Sequence, residues 1–332
     1  MSALLNSPAP QPDATSDADN ITRIAGRFNL RSMGIYLVVL GMALCAALFV
    51  PGFATAGNIV NIFQRSVALG LVSIGQTFVI IGGSLDLSVA TAISTIGVVS
   101  AIMMDNKTEN MAVAVGAALL MGIAIGLVNG LIITRLKINA FIATLGTSLI
   151  LQGILFSGFD NYAGKVPREF QSVAYGDLLG IPLGVYILMA VLIGAWVILR
   201  FTPFGYHLFA VGGNRETARL SGVRTDRVII LAHILSGLGA ALAAIILIAR
   251  LRSGGPRIGI GYDLDSIGAV VVGGSLLSGG RGSVFGTLAG VLVVSILANV
   301  FNFLNVSAFA QDVLRGVVLI VVVAVYSYRA RR

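Results

Sequence analysis

The chain has 332 residues, of which 57% are hydrophobic and 11% charged, with a net charge of +8 and a mean hydropathy of +0.95. Soluble domains carry roughly 25% charged residues, so a soluble globular class is excluded. One cysteine (Cys45) rules out a disulfide framework, and two histidines (His207, His233) without an HExxH pattern argue against a metalloenzyme.

The basic balance resides in loop arginines rather than in a basic face interleaved with aromatics, so no nucleic-acid partner is expected. No GxxxxGK[ST] string occurs, so this chain is not expected to hydrolyse ATP.

Residues 1–20 are rich in Pro, Ser, Asp and Ala and read as a disordered tail. They lack the basic start and apolar core of a secretory signal. Arg23, Arg27 and Arg31 precede the first apolar run, which places residues 1–32 in the cytoplasm by the charge rule. Long runs free of Asp, Glu, Lys and Arg then follow, and a bilayer span needs about 20 apolar residues. Ten spans are predicted, at 33–50, 63–82, 87–104, 111–134, 139–158, 183–200, 228–249, 266–277, 284–304 and 308–328. The expected fold is an all-α integral membrane bundle over 33–328, with some helices broken or re-entrant. A basic cytoplasmic tail, RARR, closes it at 329–332. With this orientation fourteen basic residues lie inside and seven outside, with Arg315 within a span.

Two joins look broken. Gly82–Ser88 (GGSLDLS) interrupts spans two and three, and Gly273–Gly280 (GGSLLSGG) ends a span too short to cross comfortably. Each contains an aliphatic pair followed by GGSL, at Ile80–Leu85 and Val271–Leu276, as a transporter built from structural repeats would show. Chance recurrence of common residues is the competing account. Asp86 stands among glycines and serines with no other acid between Asp19 and Asp105. It reads either as N-cap of the next helix or as a polar gate. With Ser84, Ser88, Gly274 and Ser275 it forms the candidate translocation pathway. Asn299 and Asn302, in a polar stripe with Asn305, join that set, interhelical hydrogen bonding being the other reading. Gly122, Gly126 and Gly130 share a helix face, as do Gly286 and Gly290, and are read as packing contacts.

Phe204–Arg227 is the long polar interval of the second half. Asn214 is placed as N-cap, Glu216 in the first turn and Gly222 as the stop of a short helix. It is either an ordinary basic loop or a helix that passes force beyond the bilayer. Arg250–Asp265 is irregular, being rich in Gly and Pro. With Arg250, Arg252, Asp263 and Asp265 it reads as an outer turn or a docking surface for a soluble partner. Asp312 and Arg315 are spaced for a local ion pair.

Four strings together carry a resemblance: GGSLDLSVA (82–90), INAFIATLGT (138–147), GYHLFAVGGNRETARLSGV (205–223) and GYDLDSIGAVVVGGSLLSGGRGSVFGT (261–287). In this order and spacing they resemble the membrane permeases of bacterial ribose-type ABC importers. The first string departs from the family's common Gly-Ile-Asp-Leu-Ser-Val-Gly, with Ser84-Leu85 before Asp86 and Ala90 at the last glycine. The resemblance implies an inner-membrane permease dimer, homo- or heteromeric, with ATP and Mg on separate ABC ATPase subunits. It also implies a periplasmic solute-binding protein and passage of a neutral, monosaccharide-sized solute by alternating access. Gly212, Gly213 and Asn214 through Ser221 and Gly222 match the cytoplasmic segment that contacts the ATPase, with Glu216 and Arg219 available for ion pairs. An ion-coupled secondary transporter centred on Asp86 and a branched-chain amino-acid permease are the alternatives.

Overall fold

The computed structural model describes residues 30–307, 309–311, 313–314 and 316–317. The N-terminal tail to residue 29, the pair Asp312/Arg315 and the tail RARR lie outside the described residues, as does most of the expected span 308–328. The helices in chain order are α1 (Leu30–Phe49), α2 (Ala56–Ile81), α3 (Val89–Met104), α4 (Met111–Arg135), α5 (Ala140–Gly158) and the short α6 (Ser172–Tyr175). They continue with α7 (Leu183–Phe201), α8 (Pro203–Gly213), α9 (Arg215–Leu220), α10 (Thr225–Leu251), α11 (Tyr262–Val272) and α12 (Val284–Phe303). A two-residue hairpin pairs β1 (Asp177–Leu178) with β2 (Ile181–Pro182) antiparallel.

Among the described residues six helices, α2, α4, α5, α7, α10 and α12, are long and apolar enough to cross a membrane, and α1 and α3 are shorter apolar helices. α11 has 11 residues, about 16 Å of rise against a hydrocarbon core of about 30 Å. The described chain therefore does not present ten equal spans.

Close backbone approach holds the bundle together, because lipid removes the hydrophobic drive between helices. α2 lies at the centre with 89% of its apolar window buried, whereas α5 lies at the periphery with 17%. The glycine face of α4 meets α10: a methyl on Gly126 would strike the His233 carbonyl, and one on Gly130 would come within 2.7 Å of the Ile230 Cα. On its other side α10 meets α2, where Gly75 faces the Ser236 Cα at 2.9 Å from its ideal Cβ position. Gly286 and Gly290 likewise seat α12 against Ala269 of α11 and Gly273 just beyond its end. The two predicted glycine faces are packing contacts.

Two stretches differ from expectation. The polar interval after α7 contains a full helix, α8, started by Pro203 and capped by the Thr202 hydroxyl, which accepts from the Gly205 N–H at 3.3 Å. Arg250–Asp265 is not a solvated outer turn: Gly254, Gly255, Pro256 and Gly259 are buried. The stretch runs inward along α3, with Gly254 against Val98 and Gly259 against Ala90, and the Ser94 hydroxyl accepts from the Gly259 N–H at 3.0 Å. Only glycine lets a backbone lie this close to a helix. α11 then completes the descent, with Asp263 and Asp265 in its first turn, where the helix dipole favours acids.

Candidate functional site

α9 is a six-residue helix fixed at both ends. The Asn214 side chain accepts from the Thr217 N–H at 2.8 Å, satisfying a first-turn donor. Gly222, at φ +84°, turns the chain out. The Val223 N–H bonds back to the Ala218 carbonyl at 3.1 Å and the Gly222 N–H to Arg219 at 3.0 Å. The sequence-based placement of cap, first turn and stop holds. Ala218 is the buried residue of α9, and its charges face outward. Arg219 Nε donates to Glu216 Oε2 at 3.0 Å, and Arg215 Nη2 donates to Asp226 Oδ1 at 3.0 Å. The Arg219 hydrogen bond holds the Glu216 carboxyl below its ordinary range, and the same bond raises Arg219.

Immediately before α9, three glycine turns meet without side chains between them. A methyl on Gly212 would collide with the Ile81 carbonyl and stand 2.6 Å from the Gly280 nitrogen. Gly280 donates its N–H to that same Ile81 carbonyl at 2.9 Å. An added Cβ on Gly279 would lie 2.7 Å from both the Gly212 carbonyl oxygen and the Gly83 Cα. The end of α2, the tip of α8 and the α11–α12 turn thus touch backbone to backbone.

The two GGSL strings fold alike. Gly83 and Gly274 both adopt positive φ (+76° and +94°). In each, the following serine N–H reaches back five residues: Ser84 to Val79 at 3.0 Å, Ser275 to Val270 at 3.2 Å. This is the helix-terminating motif in which glycine supplies the left-handed residue. Ile80 of α2 packs with Val270 and Val271 of α11, so the paired motifs adjoin.

Beyond the first turn lies a buried polar chain. α3 proper begins at Val89 after Ser88, whose side chain makes no capping bond, and it is Asp86 that engages a backbone N–H at this end. Asp86 is 1% exposed, and its Oδ1 accepts from the Ser88 N–H at 3.0 Å and the Ser88 hydroxyl at 2.6 Å. A short acid accepting from the N–H two residues ahead satisfies a donor at the entry to the helix. Asn129 of α4 donates to the Ser88 hydroxyl at 2.8 Å, and the Leu87 N–H donates to Thr144 of α5 at 3.1 Å. His233 Nδ1 lies 3.0 Å from the Ile229 carbonyl, which can only accept, so the proton sits on Nδ1 and Ser84 donates to Nε2 at 3.3 Å. An open cleft of about 1280 Å³ joins these parts, lined by Ser84, Leu85, Lys137, Gly213, Glu216, Arg219 and Ser278 among others.

A family described as "Branched-chain amino acid transport system / permease component" matches residues 58–323. The chain belongs to this permease family. It is 39% identical over 284 residues to the ribose import permease protein RbsC of Escherichia coli (strain K12), covering 83% of this chain and 87% of the relative. It is 40% identical over 299 residues to the L-arabinose transport system permease protein AraH of the same strain, covering 90% and 91%. RbsC of Bacillus subtilis (strain 168) is 36% identical over 298 residues, covering 89% and 92%. No solved structure gives a significant match.

The remaining predicted site residues of this permease are dispersed. Asn299 forms a reciprocal amide pair with Asn58 of α2 (2.9 and 3.1 Å), while Asn302 is exposed. Both lie towards the far end of α12 from the glycine junction. Ser275 is wholly buried and its hydroxyl has no partner. At the end of the bundle opposite α9, Arg252 lines a basin of about 450 Å³ with Lys107, Glu109, Arg168 and Glu169; Arg250 is half-buried. Asp263 and Asp265 stand apart from it, beyond the buried glycine stretch. Sequence reading missed Asn129, Thr144 and His233, whose neighbours are far away in the chain. It also missed that Gly83, Gly212 and Gly279 share one junction.

Proposed function

We propose that this chain is the membrane-spanning subunit of an ATP-driven importer for a monosaccharide of the ribose or arabinose type. α9 is then the element on which a separate ATPase chain, holding ATP and Mg, bears. The observation that carries this reading is the seating of α9, a rigidly capped helix with outward charges mounted on a junction that touches both GGSL turns. Its charged face suits a soluble partner, and its root reaches α2, α8 and the α11–α12 turn together. In this orientation α9 and both termini are cytoplasmic. A second permease chain and an extracytoplasmic solute-binding protein complete the assembly, the latter at the basin around Arg252.

The mechanism is alternating access. Closure of the ATPases displaces α9, the glycine junction carries the displacement into α2 and α12, and the cleft beside Ser84 opens or closes. Asp86, already engaged by Ser88, keeps the turn between α2 and α3 intact during the motion. A sugar is favoured over an amino acid because the named relatives above transport ribose and arabinose by their titles, at 36–40% identity over most of both chains.

The test uses a charge exchange, Glu216→Arg with Arg219→Glu, which keeps the local pair but inverts its layout. The exchanged chain is expected to reach the membrane and to lose co-purification of an ABC ATPase in mild detergent. If the unchanged chain captures no ATPase, and sugar uptake survives ATP depletion but stops when the proton gradient collapses, the importer reading is wrong.

A further inference from the structure

We infer that the seam between α3 and α5 is a sugar-contacting strip of the translocation path, an inference that rests on the importer reading above. The two helices run in register. Leu87 N–H to Thr144 and Thr91 hydroxyl to Ser148 hydroxyl (both 3.1 Å) each join residues 57 apart. The same offset one turn on places Thr95 opposite Gln152, and the next turn brings Phe156. Rungs therefore recur roughly every 6 Å along parallel helices; the second and third offer neutral hydroxyl or amide groups, and the fourth is apolar, Val99 with Phe156. At the top, the Arg257 guanidinium lies 5.6 Å from the centre of the Phe156 ring.

Interhelical glue alone does not account for this strip. Buried helical threonines normally satisfy themselves by bonding back to the carbonyl four residues earlier. Thr77, Thr134, Thr144 and Thr147 all do so here. Thr95 does not: its hydroxyl oxygen is buried and has no partner. Gln152 and Ser148 remain half-accessible on a helix whose neighbouring positions, Leu149, Ile150 and Ile154, are 60–64% exposed. An unengaged amide among exposed apolar positions is costly until a polar group meets it, and a polar solute passing along the strip is such a group. Neither α3 nor α5 carries a charged residue, which suits a neutral polyol and not an ion. The aromatic face of Phe156 suits the apolar face of a sugar ring.

The test is cysteine accessibility in intact cells carrying the full chain with Cys45→Ser, using a water-soluble, membrane-impermeant methanethiosulfonate. Ser148→Cys and Gln152→Cys are expected to label at least about tenfold faster than Ile150→Cys, and excess ribose or arabinose to slow that labelling severalfold. Thr95→Val is expected to lower uptake about five- to tenfold, the loss of one neutral hydrogen bond, while Thr95→Ser retains it. Labelling no faster than Ile150→Cys overturns the seam as a path. Fast labelling that neither sugar slows, in cells whose unsubstituted chain takes that sugar up, overturns it as a sugar site. Failure of the unsubstituted chain to take up either sugar instead counts against the importer reading and leaves the labelling comparison to decide whether the seam is an aqueous path.

Discussion

At the scale of single residues, adjacent glycines have opposite meanings. Gly212 has no room for a methyl, whereas nothing lies within 4 Å of a Cβ added at Gly213. Gly212→Ala is therefore expected to lower the thermal stability of the purified protein by roughly 1–3 kcal/mol, the usual range for overpacking. Gly213→Ala should leave the melting temperature unchanged. Gly213→Trp should fill the cleft and stop uptake with the fold intact. Equal melting temperatures for Gly212→Ala and the unchanged protein would remove the junction from the account. Glu216 gives a pH prediction. Its folded-state pKa is depressed by Arg219, so its small, solvent-screened contribution is present above the unfolded value and is lost as pH falls through the folded one. Carboxyl carbon NMR should find its midpoint below that of a free glutamate, and Arg219→Gln should move it back up. The roles of Asn214 and Gly222 were legible in sequence because capping is local chemistry. The partner of Asp86, Ser88, lies two residues away and was legible, but the Asn129 amide that donates to the Ser88 hydroxyl comes from forty-one residues on and was not.

At the scale of elements, the twin GGSL turns make a symmetric prediction. Each uses one left-handed glycine, and an L-residue there costs about 1–2 kcal/mol. Gly83→Ala and Gly274→Ala should each lower stability by that amount when followed by thermal unfolding in detergent, with Gly273→Ala failing for a different reason and Gly82→Ala asking only a small shift. Gly82 would press on Leu208, and Gly273 on the backbone of Gly286. If either left-handed glycine tolerates alanine fully, the shared geometry of the turns is not what holds them. The sequence already paired these strings by their letters, because a turn of this kind is written in five consecutive residues. α8 went unread because its apolar residues, FGYHLFAVGG, resemble neither a span nor a loop. The inward course of 252–261 went unread because Arg252 and Arg257 mark a surface while the intervening glycines mark a buried backbone, and no periodicity records the difference. The α3–α5 rungs escaped notice because Thr91 and Ser148 are related only by the register of two separate helices.

At the scale of the whole molecule, most charged side chains of the described residues gather towards the two ends of the bundle, with buried Asp86 and Arg65 of α2 as exceptions. The basin of Lys107, Glu109, Arg168, Glu169 and Arg252 lies at one end, and the pairs of α9 and Asp226 at the other. If the basin receives a solute-binding protein, Arg168→Glu with Arg252→Glu should slow that association and flatten its salt dependence, because rim charges act chiefly on encounter rate. Surface plasmon resonance at low and physiological ionic strength would measure it; an unchanged on-rate would move docking elsewhere. The bare meeting of Gly83, Gly212 and Gly279 bears on how the molecule does work. Side chains between moving parts act as cushions, taking up displacement by changing rotamer. Here peptide planes abut, so if α9 is the element an ATPase moves, the linkage has almost no backlash and a push on α9 passes directly to both GGSL turns. Any insertion that softens this pivot should leave ATP being consumed with no sugar delivered, an engine turning with its clutch out.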